Sequence, residues 1–166
     1  MKHQHRLIST LLVAIALLTG GSALAALQIE RQATITYDEG GTLVMITVAE
    51  RDALGGESST TATFDEFSVR ADGPTITGEL VRERVATGES VETVYNGTVE
   101  IHTPSSPSGP ERLDTLTLEN LTIVRDGDGP ELSGTVIFNG DAIAAEDLPR
   151  PIRYLVLRML RVFQFA

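Results

Sequence analysis

The sequence predicts a mainly β protein: a curved antiparallel sheet or β-sandwich of about seven strands, with a duplicated hairpin and one C-terminal amphipathic helix. Three observations support this fold class. Apolar and polar residues alternate along several segments, and one pair of segments repeats with the same turn residues. Helical spacing of apolar residues is confined to residues 148–166. The first two patterns favour a sheet, and the third favours a helix that ends the chain.

Strand alternation is clearest from Leu27 to Tyr37 and from Val91 to Ile101. Successive side chains of a strand point to opposite faces, so this pattern predicts strands with one buried and one solvated face. Arg31 is the one exception on the apolar face of the first segment. The segment from Leu43 to Val48 is apolar on both faces, which predicts a central strand covered on both sides.

Two polar segments are predicted to be loops. Glu50 to Thr61 contains a Gly-Gly pair, and Thr103 to Glu111 contains three prolines. Proline cannot donate a hydrogen bond to a neighbouring strand, so the second segment is not expected inside a sheet.

An internal repeat is the most informative feature. Residues 64–81 (FDEFSVRADGPTITGELV) resemble residues 118–137 (LENLTIVRDGDGPELSGTVI), and each copy has the pattern of a β-hairpin with an Asp-Gly turn. The apolar phase slips in both copies, between Phe64 and Phe67 in the first, and a β-bulge restores the facing of the strand. Gly78 and Gly134 lie within the returning strands. Bulges combined with glycines predict a strongly curved sheet.

The first 25 residues have the three parts of a cleavable secretory signal peptide. Lys2 and Arg6 make the start positive, Leu7 to Leu18 is nearly all apolar, and residues 23–25 (Ala-Leu-Ala) match a signal-peptidase site. An uncleaved membrane anchor is the alternative, but a spanning helix needs about 20 apolar residues. The sequence therefore predicts export to the periplasm or beyond, with a mature chain that begins near Ala26.

Charge is unevenly distributed along the 166-residue chain, whose formal net charge is −10. The predicted β domain, residues 26–147, contains 7 arginines and 23 acidic residues, whereas residues 148–166 contain four arginines and no acid. An acidic body repels the phosphates of nucleic acid, which is therefore not expected as a partner. Solubility is the simplest role of the acidic excess.

The predicted C-terminal helix is basic and amphipathic. Asp147 is its expected N-cap, with Pro149 or Pro151 in the first turn. The apolar stripe comprises Ile152, Leu155, Val156, Met159, Leu160 and Phe163. Packing of this stripe on the sheet is the favoured interpretation, and contact with a membrane surface or a partner is the alternative. The residues that would make that contact are Arg150, Arg153, Leu155, Arg158, Met159, Arg161 and Phe163.

The turn of the second repeat offers a candidate calcium site. Asp126, Asp128 and Glu131 place hard oxygen ligands on a glycine-rich turn, as calcium prefers. The segment lacks the full EF-hand pattern, and Asp-Gly is also a common hairpin turn, so a plain turn is the favoured interpretation. No cofactor is predicted, because the sequence has no nucleotide fingerprint and no His/Cys cluster for zinc.

No catalytic residues are predicted. The mature chain has a single histidine, His102, with Ser105 and Ser106 nearby in the sequence. Nothing supplies a nucleophile elbow or a third group that orients the histidine, so a solvated histidine at a strand end is expected.

Three functions remain open from the sequence. The first is an exported, non-enzymatic binding or structural module whose partner is a protein or an apolar ligand. The second is a periplasmic carrier that holds a lipid or other apolar ligand in the curved sheet, which requires a cavity that the helix does not fill. The third and weakest is a hydrolase, which requires two carboxylates converging in a cleft.

Overall fold

Nine strands form one antiparallel sheet in the computed structural model, which describes residues 14–15, 27–36, 41–51, 55–68, 73–106, 109–126 and 129–165. Each strand pairs with the strands before and after it in the sequence. The strands are β1 (Ala14–Ile15), β2 (Leu27–Thr36), β3 (Thr42–Arg51), β4 (Gly55–Phe67), β5 (Thr75–Thr87), β6 (Ser90–Thr103), β7 (Arg112–Asp126), β8 (Gly129–Phe138) and β9 (Asp141–Ala144). A 3-10 turn (Ala145–Asp147), the helix α1 (Arg150–Leu160) and a second 3-10 turn (Arg161–Phe165) follow.

The predicted fold class is confirmed, since the described residues form one curved antiparallel sheet and one C-terminal α-helix. Nine strands are more than the seven or so predicted because β1 and β9 lie outside the segments expected to be strands. The predicted loop from Glu50 to Thr61 is wrong, since this segment belongs largely to β3 and β4 and lengthens them. Threonine is favoured in strands, and its hydroxyl group can form a hydrogen bond with a residue of the neighbouring strand. Thr60 is buried, and its hydroxyl oxygen lies 3.0 Å from that of Thr47. The proline-containing segment connects β6 to β7, as predicted.

One face of the sheet, which we call the inner face, carries the hydrophobic core. Leu43, Phe64, Leu80 and Leu116 lie on it and are at most 2% exposed. The helix α1 packs against the same cluster. The prediction that the segment of β3 is covered on both sides is wrong, because Ile46 on the opposite, outer face is 41% exposed. Single apolar residues are common on protein surfaces, so Ile46 does not require a second layer of structure over the outer face.

Both copies of the repeat contain the predicted β-bulge. The register shifts within Phe64–Phe67 of β4 and within Glu119–Thr122 of β7. The equivalent residues Glu66 and Asn120 have positive φ angles of 48° and 49°. Opposite the second bulge, Gly134 has a φ of 101°, and a Cβ atom there would collide with the carbonyl oxygen of Asn120. The glycine therefore lets two backbones approach where the sheet bends.

The apolar stripe of the C-terminal segment packs on the inner face. All of its predicted members contact the core: Val156, Met159, Leu160 and Phe163 as buried residues, and Ile152 and Leu155 as partly buried ones. The predicted cap is wrong, because Asp147 ends the preceding 3-10 turn and Pro149 occupies the N-cap position without a side-chain hydrogen bond. Pro151 lies in the first turn, as expected.

The predicted signal peptide, residues 1–25, lies outside the described residues except for Ala14–Ile15. Its cleavage and the export of the chain therefore stay predictions. Among the helices that the structure describes, none is long and apolar enough to cross a membrane.

Candidate functional site

Arginines and carboxylates of the sheet occupy opposite faces. Adjacent residues such as Glu30-Arg31, Glu50-Arg51 and Glu83-Arg84 point to opposite faces because side chains alternate along a strand. From β2 to β8, every arginine in the described residues lies on the inner face: Arg31, Arg51, Arg82, Arg84, Arg112 and Arg125. The carboxylates described in these strands lie on the outer face, apart from buried Asp114 and from Glu66 in its bulge.

The strand register gathers arginines at one end of the inner face. Arg82 pairs with Tyr95, and Arg84 pairs with Thr93, two residues further along β5. On the other side of β6, Arg125 of β7 pairs with Val91. Neighbouring strands lie about 4.8 Å apart, so the backbones that carry Arg84 and Arg125 are separated by about 10 Å across β6.

Residues 150–165, which we call the tail, lie beside these arginines and complete a cleft of about 460 Å³. We call it the arginine cleft. Leu157, Leu160, Arg161, Phe163 and Gln164 line it from the tail. The strands contribute Arg82, Arg84, Val91, Thr93, Tyr95, Ile123 and Arg125. Its volume lies within the range of about 300–1,000 Å³ that is typical of small-molecule sites.

Arg82 holds the tail against the sheet. Its Nη1 donates a hydrogen bond to the carbonyl oxygen of Phe163 at 2.9 Å, and its Nη2 donates to Thr60 Oγ1 at 3.0 Å. The guanidinium carbon lies 5.3 Å from the centre of the Phe163 ring, a cation–π distance. Burial lowers the pKa of the Arg82 guanidinium, which Tyr95 raises and Arg84 lowers further. An arginine nevertheless stays protonated in proteins, so the charge persists.

Tyr95 lines the arginine cleft and contacts Phe163 of the tail. Its ring packs against Phe163 with a centroid distance of 5.6 Å. Burial raises the pKa of the Tyr95 phenol, while Arg82, Arg125 and Arg84 each lower it. Arg82, Arg84 and Arg125 line the cleft together with Tyr95.

Arg84, Arg125 and Arg161 have exposed side chains. Neither ion pair shown for the described residues involves these arginines or Arg82. The Nε of Arg82 is buried and has no hydrogen-bond partner within the described part of the chain. The cleft is thus rich in charged donors, while its described lining residues include no carboxylate.

Anion binding is the chemistry that this arrangement supports. A guanidinium presents five N–H donors and no acceptor, and its planar fork matches the oxygens of a carboxylate or phosphate. Four such groups line the cleft together with apolar side chains of Val91, Ile123 and Leu157. A ligand with both an anionic and an apolar part would satisfy both kinds of lining.

Sequence reasoning did not single out Arg82, Arg84 or Arg125. A usable signal was present, because Arg82 and Arg84 share the parity of buried Leu80 in β5. Arg31 was noticed only as an exception on an apolar strand face. When arginines follow buried residues of a strand at intervals of two, their side chains lie on the same face as the core. This pattern indicates that the inner face carries positive charge next to the core.

The predicted calcium ligands are placed only in part. Asp126 and Glu131 are exposed, and the register puts them as diagonal neighbours on the outer face. Asp128 lies outside the described residues. No group of three or more His, Cys, Asp or Glu residues suited to a metal occurs within the described ranges, so the calcium site stays a prediction.

The residues predicted to contact a membrane or a partner lie in three places: the core, the arginine cleft and the exposed side of the tail. Met159 and Phe163 are buried in the core, and Leu155 is half-buried against it. Arg161 lines the arginine cleft. Arg150, Arg153 and Arg158 remain exposed on the tail, and contact through them stays a prediction.

Two contacts between basic and acidic side chains lie at the end of the sheet opposite the arginine cleft. His102 Nε2 is 2.7 Å from Glu111 Oε1, with 44% of the histidine side chain exposed. Arg112 Nε lies 2.6 Å from Asp114 Oδ2, and Asn139 Nδ2 donates to the other carboxylate oxygen at 2.9 Å. These contacts stabilise the β6–β7 end and lie apart from the cleft.

The chain matches no known protein family model, no curated protein and no solved structure.

Proposed function

We propose that the mature chain is an exported, non-enzymatic binding module that holds an anionic ligand in the arginine cleft. The observation that carries this proposal is the convergence of Arg82, Arg84, Arg125 and Arg161 on one cleft, without a carboxylate among its described lining residues. The chain as a whole has a net charge of −10, so partners for these arginines are abundant elsewhere. Like charges held close together repel, and a bound anion relieves that repulsion.

The lining favours binding over catalysis by carboxylates. Acid–base hydrolysis needs two carboxyl groups on either side of the scissile bond. The described strand carboxylates lie almost entirely on the outer face, away from the cleft. Permanently protonated guanidiniums orient and neutralise a ligand without exchanging protons with it.

The alternative is a periplasmic carrier of a lipid or other apolar ligand. One observation favours it: Val91, Ile123 and Leu157 give the cleft an apolar part. The tail, however, packs on the hydrophobic core of the inner face through Val156 and Met159. The space that remains is bordered by arginines, which favours a ligand that carries negative charge.

Titration calorimetry with inorganic phosphate and pyrophosphate tests the proposal. We expect the purified protein to bind at least one of these anions, and the double variant Arg84→Gln/Arg125→Gln to bind it about tenfold or more weakly, since each charged hydrogen bond is strong. The matched control is Arg150→Gln/Arg158→Gln, which removes two exposed arginines of the tail. The proposal fails if neither anion binds, or if both double variants weaken binding equally while circular dichroism shows them folded.

A further inference from the structure

We infer that the ligand of the arginine cleft is a monomeric amphiphile with an anionic head and one apolar chain. This inference rests on the proposed function and names the chemical class of its ligand. Two kinds of lining carry it: guanidiniums that suit the head, and apolar side chains of the sheet and of the tail that suit the chain.

The head site lies between Arg84 and Arg125. These residues belong to strands on either side of β6, and Arg161 of the tail lines the same cleft. An anionic head with several oxygens, such as a phosphate, can accept hydrogen bonds from more than one guanidinium at once. A head that bridges β5 and β7 would also neutralise arginines that form no ion pair with any carboxylate in the described residues.

The chain site lies along the sheet floor and the tail wall. Val91 and Ile123 line the floor, and Leu157 and Leu160 line the wall. Leu157 is 51% exposed, whereas the neighbouring stripe residues Val156 and Leu160 are buried. An apolar chain in the cleft would cover Leu157 and gain the free energy of burying apolar surface.

A single molecule fits this site better than a bilayer surface does. Arg84 and Arg125 lie on the sheet, and the tail residues Leu157 and Leu160 rise beside them to form the cleft. A single molecule in the cleft would contact the sheet and the tail together, because residues of both line it. We therefore assign the cleft to a monomer and not to a membrane surface.

A chain-length series of alkyl phosphates tests the inference. Methyl, butyl, octyl and dodecyl phosphate are titrated by calorimetry below their micelle concentrations, beside neutral dodecyl maltoside. We expect affinity to rise by up to about fourfold for each added methylene that the cleft buries, and then to level off. The neutral detergent is expected to bind at least about tenfold more weakly than dodecyl phosphate, because it lacks the charge.

The outcomes separate this inference from the proposed function. Binding of all the phosphates with equal affinity would overturn the amphiphile and leave the anion site intact. Equal binding of neutral and anionic detergents would overturn both. An absence of any phosphate binding would also overturn both.

A matched pair of variants locates the chain. Leu157→Ser removes an exposed leucine in the cleft, and Leu113→Ser removes one that is 60% exposed at the opposite end of the sheet. We expect Leu157→Ser to lower the affinity for dodecyl phosphate at least about threefold while leaving methyl phosphate unchanged, and Leu113→Ser to change neither. An equal effect of the two variants would contradict the placement of the chain.

Vesicle flotation tests the monomeric source. Anionic phosphatidylglycerol vesicles are mixed with the wild type and with Arg84→Gln/Arg125→Gln. We expect the two proteins to float equally, whatever the exposed tail arginines contribute. Flotation that requires Arg84 and Arg125 would show that these arginines reach a bilayer surface, and it would overturn the assignment to a monomer.

Discussion

Arg82 fixes the position of the tail on the sheet. It is the residue at which the sheet, the tail and the cleft meet, because its two donors bind Thr60 of β4 and the backbone of Phe163. Its guanidinium also lies over the Phe163 ring. A carbonyl oxygen of the tail thus gains a charged donor, and one wall of the arginine cleft is set in place.

Arg82→Lys is expected to destabilise the protein by about 1–3 kcal/mol. Lysine keeps the charge but lacks the planar fork that reaches Thr60 and Phe163 together. Urea unfolding measures the loss, and Arg84→Lys is the matched control because Arg84 is exposed and makes neither bond. Equal stability of the two variants would contradict the anchoring role of Arg82.

The two bulged hairpins and the helix α1 determine the shape of the inner face. Each hairpin bends where a bulge faces a glycine, as Gly78 pairs with Phe64 in the first copy. The tail then packs on that face through its apolar stripe. A curved sheet with one helix on it leaves part of the inner face uncovered, and the arginine cleft occupies that part.

Gly134→Ala is expected to cost at least about 2 kcal/mol more than Gly88→Ala. Both glycines have positive φ angles, 101° and 56°, but a Cβ at Gly134 would meet the Asn120 carbonyl whereas one at Gly88 would have no atom within 4 Å. Both variants strain the backbone, but only Gly134→Ala also causes a steric collision at the bulge. The difference between their losses of stability therefore measures the cost of that collision. Thermal or urea unfolding measures both, and similar losses would show that the close approach is not needed.

Local patterns explain what could be predicted from the sequence. The phase slip at Phe64–Phe67 and the spacing from Ile152 to Phe163 are periodic signals carried by neighbouring residues, and the bulge and the packing of the stripe are confirmed. The α-helix is shorter than predicted, since it ends at Leu160 and Phe163 lies in a 3-10 turn. The Ser/Thr-rich part of β4 was missed because pairing with β3 and β5, not local preference, makes it a strand. The cleft was missed for a similar reason, since it depends on the register of β5 to β7 and on where the tail lies.

The whole molecule separates its charges across one sheet. In the described strands, most carboxylates lie on the outer face, and arginines on the inner face form a local positive site. The screening length at physiological ionic strength is about 8 Å, so the outer charges act weakly across the sheet, while arginines in contact with a ligand are screened much less. A net charge of −10 is therefore compatible with the proposed anion site on one face.

The most direct test of anion binding in the arginine cleft is an NMR titration that follows each arginine Nε–H signal as dodecyl phosphate is added. The account predicts that the signals of Arg84, Arg125 and Arg161 shift and saturate together, while those of Arg150 and Arg158 stay unchanged. Shifts confined to Arg150 and Arg158, shifts spread evenly over all arginines, or no saturable shift would contradict anion binding in the cleft.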